Sequence, residues 1–116
     1  MEGERERGRR RGRTGRATAA RIVHEDEHVL AFEDIHPQAP VHVLVVPRRH
    51  VESLWELDDP ELAGRLLFAA AEVARKLALE RGFRVIANTR RDGGQEVPHL
   101  HLHVLGGRRL GRMLPG

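Results

Sequence analysis

Near the C-terminus, His99-Leu100-His101-Leu102-His103-Val104-Leu105 alternates polar and apolar residues without a break. A period of two belongs to a strand that buries one face. The segment predicts a strand over 99–105, with Leu100, Leu102 and Val104 on one side and all three imidazoles on the other. Same-face neighbours stand about 6.5–7 Å apart, twice the rise per residue. A single strand histidine is ordinarily a satisfied, partly buried polar residue; three in strict alternation form a concentrated array of bases. Two chemistries use such an array. One is cation binding, since neutral imidazole is the commonest ligand for zinc, copper or nickel. The other is nucleophilic catalysis, in which one ring attacks an electrophile while its neighbours orient it and stabilise developing charge.

The rest of the chain supplies a small α+β domain around that strand. Its 116 residues fit one domain. Short strands are expected at 22–24, 28–35 and 83–89. The β-branched run Val41–Val46, ended by Pro47, reads as a central strand buried on both faces. Its lone polar residue, His42, needs a partner there, because an unpaired polar group costs a few kcal/mol to bury. Asp58-Asp59-Pro60 offers an Asp cap and a Pro at the first helical position. Leu62, Leu66, Ala69 or Ala70, Val73 and Leu77 then follow a helical period, with Gly82 as the expected stop. A helical turn is expected within 51–57, and loops at 36–40 and 90–94. The fold class is therefore α+β: an antiparallel meander of about five strands with one main helix.

Charge and composition exclude several function classes. Residues 1–21 hold eight Arg against three Glu, while the remaining 95 hold 12 Lys+Arg and 14 Asp+Glu. The net charge of +3 thus comes entirely from the N-terminal stretch, which argues against a uniformly basic nucleic-acid-binding domain. Residues 1–19 are expected to be a disordered Arg/Gly-rich tail: a solvated extension in preference to an electrostatic tether for anionic partners. With no Cys there is neither a disulfide framework nor a thiolate site. No apolar run approaches a membrane span, and no apolar stretch follows the arginines as in a signal peptide. A soluble cytoplasmic protein is the expectation.

The surroundings of the array favour phosphate over a cation. Asn88 and the Gly93-Gly94-Gln95 loop stand just upstream, a polar donor and a loop whose backbone N–H groups can approach an anion. The same residues carry a family resemblance. His99–Leu105 resembles the His-x-His-x-His-hydrophobic-hydrophobic signature of the histidine-triad (HIT) superfamily. Residues 88–95 (NTRRDGGQ), 34–50 (DIHPQAPVHVLVVPRRH) and Pro115-Gly116 resemble its HINT-like branch, over about 21–116.

The resemblance implies a purine nucleoside phosphoramidase or related nucleotide hydrolase that needs no metal or cofactor. It implies His101 as nucleophile toward the α-phosphorus, forming a nucleotidyl-histidine, with its other ring nitrogen bonded to a backbone carbonyl. It implies His103 and His42 at the phosphate oxygens, His99 as an orienting residue, and Asn88 and Gly94 on the phosphate side. Gln95 is implied at the bridging atom, Asp34 at the ribose hydroxyls, and Ile35, Phe32 and Ile22 around a purine base. A homodimer with a continuous sheet is likewise implied.

Four positions depart from the family pattern. Glu96 replaces a Ser or Thr, placing an anion near the substrate or a proton donor near the leaving amine. Pro98 precedes the triad. The arginine-rich tail replaces the usual N-terminus, and Arg112-Met113-Leu114 replaces an arm bearing Trp. A nucleotide-binding regulator with weak catalysis, and a metal-binding protein using His99, His101 and His103, remain the alternatives. Trp55 reads as a packing or subunit-contact residue, and His24, His28, His36 and His50 as ordinary surface or loop histidines.

Overall fold

A computed structural model describes residues 20–115; the expectation for residues 1–19 lies outside them. In chain order the elements are β1 (Ile22–Glu25), β2 (Val29–Glu33), β3 (Val41–Pro47), a 3-10 turn (Leu54–Glu56), α1 (Pro60–Lys76), β4 (Phe83–Ile86) and β5 (Leu102–Gly106). They form one five-stranded antiparallel sheet with one main helix. The strands run in the spatial order β1-β2-β3-β5-β4. Consecutive strands are neighbours as far as β3; β5 then inserts between β3 and β4, so β4 becomes an edge.

Helix α1 begins where the sequence indicates. Asp59 Oδ1 accepts from the backbone N–H groups of Glu61 and Leu62, both at 3.1 Å, and Pro60 fills a position that needs no amide hydrogen. Leu62, Leu66, Ala69, Ala70 and Val73 face inward. They pack on Val29, Ala31, Val43, Val45 and Val104, all fully buried. The helix stops at Lys76 rather than running to Gly82. Ala78 takes the left-handed position, at φ 58°. Leu79 N–H bonds Ala74 O at 2.9 Å and Ala78 N–H bonds Arg75 O at 3.1 Å, the two bonds of a Schellman stop. An alanine in that conformation costs roughly 1–2 kcal/mol. Burying Leu79 in the core contributes a similar amount, about 1.5–3 kcal/mol, and so the turn forms there.

Three strand expectations need correction. The central strand β3 is fully covered on one face only: Val43 and Val45 are buried under α1, whereas on the other face His42 is buried but Leu44 and Val46 are half-buried. The histidine strand begins at Leu102 rather than His99. Its ladder to β3 ends at the Val45–Leu102 pair, because Pro47 has no N–H to extend it. Leu100 N–H turns instead to Val51 O at 2.7 Å. Alternation outlasts the ladder: Leu100, Leu102 and Val104 are buried, while His99, His101 and His103 are half-exposed. Similarly, the 83–89 strand ends at Ile86, opposite His103.

Register then places the open face. Ile22 pairs with Phe32, Phe32 with Leu44, Leu44 with His103, and His103 with Ile86. One row of side chains thus crosses all five strands on the face away from the helix, running from an apolar end at β1 and β2 to an imidazole on β5. Adjacent strands lie about 4.8 Å apart, so Ile22 and His103 are separated by roughly 14 Å.

Candidate active site

His42 and His103 meet diagonally across the β3–β5 pair on this open face. His42 is 4% exposed, and both its nitrogens have partners. Gln38 N–H donates to its Nδ1 at 3.1 Å. Nδ1 therefore carries the lone pair and Nε2 carries the proton, since neutral imidazole has one donor and one acceptor. That Nε2–H donates to His103 Nδ1 at 2.9 Å, with Asp34 Oδ2 3.5 Å away. His103 in turn must hold its proton on Nε2. The chain Gln38→His42→His103 thus leaves His103 presenting an N–H donor. The expectation that His42 needs a partner is met by a histidine on the next strand.

His101 stands edge-on to His103, ring centroids 5.0 Å apart at 72°. Its Nδ1 lies 2.7 Å from the carbonyl oxygen of His99. A carbonyl only accepts, so Nδ1 is protonated and the Nε2 of neutral His101 carries a free electron pair. A nucleophilic nitrogen and a hydrogen-bond donor are therefore side by side. This is an arrangement for attacking an electrophile whose charge falls on adjacent oxygens.

Around this centre the remaining expected residues divide. A cleft of about 250 Å³ brings together Gln38, His42, Asn88 and His103, with Arg84 and Arg108 on its wall. Asp34 uses Oδ1 to accept from His36 N–H at 2.8 Å, tying the 34–36 turn, and directs Oδ2 toward His42. Ile22 and Ile35 are exposed and Phe32 half-buried.

The 90–97 loop is closed on itself. Gln95 Oε1 accepts from Arg90 N–H at 2.8 Å, and its Nε2 donates to Glu52 O and Val97 O at 2.8 and 2.9 Å. Gly94 and Gln95 N–H bond Arg91 O and Arg90 O, both at 3.0 Å. Gly93 allows this closure: a Cβ there would fall 2.6 Å from Thr89 N. Contact of Gln95 with a bridging atom therefore requires it to leave this loop. Glu96 is exposed. The residue that sequence reasoning missed is His50, whose Nδ1 lies 3.0 Å from His99 Nδ1; a position 49 residues away carries no pattern that pairs it with the triad.

The metal reading fares poorly on tautomers. Among the described residues, the group whose ligand atoms converge within 4.8 Å is Asp34, His42 and His103, rather than the three alternating histidines. A cation at His42 Nε2 would require a proton on Nδ1, against the Gln38 N–H already pointing there.

His99 and His103 are both held below the usual imidazole value of 6.5, chiefly by burial. For His103, neighbouring His101 and His42 add to the effect, and Asp34 opposes it. Unfolding exposes both rings, so between the lowered folded values and 6.5 the unfolded chain binds more protons. Their contribution is fully present above pH 6.5 and is lost as pH falls toward the folded values. Melting temperatures between pH 5 and 8 are expected to decline below about 6.5, less steeply in His103→Gln; equal slopes in the two proteins would contradict this.

Comparison with known proteins identifies the family. The HIT domain family model matches residues 16–110, and the chain belongs to the HIT family. A purine nucleoside phosphoramidase of Escherichia coli K12 is 45% identical over 96 residues, 80% of this chain and 81% of the relative. A HIT family hydrolase from Clostridium thermocellum superposes with a TM-score of 0.80 at 40% identity, covering 84% of this chain and 88% of the other. A histidine triad protein from Clostridium difficile gives 0.79 at 40% identity, covering 84% and 87%. The chain is a hydrolase of this family. No helix among the described residues is long and apolar enough to cross a membrane.

Proposed function

We propose that the chain is a purine nucleoside phosphoramidase working through a covalent histidine intermediate. His101 Nε2 attacks the α-phosphorus of a nucleoside 5′-phosphoramidate. The P–N bond to the amine breaks, and the amine departs after taking up a proton from solvent. Water then attacks the same phosphorus, the bond to His101 breaks, and a nucleoside monophosphate and a proton are released. His103 Nε2–H stabilises the non-bridging oxygens, with His42 fixing its tautomer, and Asn88 donates from the cleft. Asp34 accepts the ribose hydroxyls, and Ile22, Phe32 and Ile35 receive the base. Gly94, Gln95 and Glu96 border the leaving group.

The observation carrying this reading is the 2.7 Å bond from His101 Nδ1–H to the His99 carbonyl, which leaves the other nitrogen free to attack beside a fixed donor. Release of AMP from a fluorogenic adenosine phosphoramidate tests it. Binding of AMP without turnover would instead establish a nucleotide-binding regulator.

The same proposal includes a homodimer. Strand β4 is an edge with Phe83 and Val85 exposed, and α1 exposes Leu67 and Phe68, apolar area that a second copy would cover. Light scattering is expected to give twice the 13.1 kDa chain mass, reverting toward one chain in Phe68→Glu. A monomeric wild type would remove the dimer.

A further inference from the structure

We propose that His50 is a positioning residue for the reaction, clasping His99 so that the His99 carbonyl holds His101 in its attacking tautomer. This rests on the reading of His101 as nucleophile. The need for such a clasp follows from the short β5 strand. Residues 99–101 lie outside the ladder, so the sheet does not fix the peptide whose carbonyl receives the His101 proton. Backbone support there is slight: His99 N–H bonds Val97 O at 2.8 Å and Leu100 N–H bonds Val51 O at 2.7 Å.

Side chains complete the support. His99 Nε2 lies 3.1 Å from the Pro47 carbonyl, an obligate acceptor, so Nε2 carries the proton and Nδ1 is an acceptor. The group that meets this acceptor is His50 Nδ1–H, at 3.0 Å, with ring centroids 5.0 Å apart. Pro47 is the last residue of β3, and His50 lies three residues beyond it. The end of the central strand and the segment just after it thus grip the His99 ring at both nitrogens where the backbone ladder has ceased. Without the His50 donor, His99 Nδ1 loses its protein partner. The single bond to the Pro47 carbonyl still keeps the His99 proton on Nε2, but the ring can rotate about it, and the carbonyl on its own residue loses its fixed aim at His101. Groups that fix a metal-ligating imidazole from behind matter by about 10- to 100-fold when removed, and a loss of the same order is expected where the imidazole positions a nucleophile.

His50 is exposed, so the fold does not depend on it and the test is clean. His50→Leu is expected to lower kcat about tenfold or more with KM nearly unchanged, because the ring touches no substrate. His50→Gln, whose amide can donate to the same nitrogen, is expected to restore most of the loss. Nitrogen-15 spectra of the imidazoles supply a readout independent of turnover. The wild type is expected to show His101 protonated at Nδ1 and His99 at Nε2, and His50→Leu a mixture of tautomers at His101. Unchanged spectra and unchanged kcat in His50→Leu would overturn the proposal, as would equal losses in the Leu and Gln variants. A changed tautomer in a protein that turns over no phosphoramidate would uphold the clasp and refute the assigned reaction instead.

Discussion

His101→Ala is expected to lower turnover of an adenosine 5′-phosphoramidate by on the order of 10³-fold or more, with the melting transition shifted little. The first half follows from the assignment of the only step that breaks the P–N bond to His101 Nε2. Without that nitrogen, the two easier displacements revert to direct attack by water. The second half follows from surroundings. His101 is half-exposed, lies outside the β5 ladder, and contributes one bond, to the carbonyl of His99; its removal opens no core cavity. Nucleotide binding is expected to survive, because the proposed cleft and apolar end of the sheet are untouched. Steady-state kinetics and AMP titration of the same preparation check both halves.

His42→Leu carries the second large effect, through a different route. His42 is buried and relays a hydrogen bond from Gln38 N–H to His103. A leucine leaves the Gln38 amide and His103 Nδ1 without partners, a penalty of roughly 1–3 kcal/mol per unsatisfied group. More telling is the loss of tautomer control: His103 then presents an Nε2–H for only part of the time. Removal of one preorganised donor to a developing oxyanion typically costs about 10²–10³ in rate, and that range is expected for kcat here. His42→Gln is expected to fall between leucine and wild type, since its amide retains a donor toward His103. Full activity in His42→Leu would show that His103 works without a fixed proton position.

Much of this arrangement was legible in the sequence because it rests on local rules. The Asp59–Pro60 start, the inward stripe from Leu62 to Val73 and the β-branched run at 41–46 each declare themselves within a few residues. His42 stood out as the one polar residue in an apolar strand, which is why a partner could be demanded before one was seen. What escaped was set by non-local competition. Strand β5 lost three residues because Pro47, on another strand, cannot donate. The helix stopped at Lys76 because Leu79 has a place in the core, a preference stronger than the glycine signal at 82. Gln95 reads as a substrate amide by motif, yet its side chain closes the loop that carries it. His50 looked like a loop histidine because its role exists only once residue 99 is folded beside it.

Mass spectrometry of the protein quenched at low temperature during turnover of an adenosine phosphoramidate tests whether a nucleotidyl-histidine forms on His101. One added adenylyl group is expected, located by fragmentation on His101 and absent from His101→Ala. Rapid turnover with no adduct under conditions that trap it, or an adduct on another residue, would contradict it.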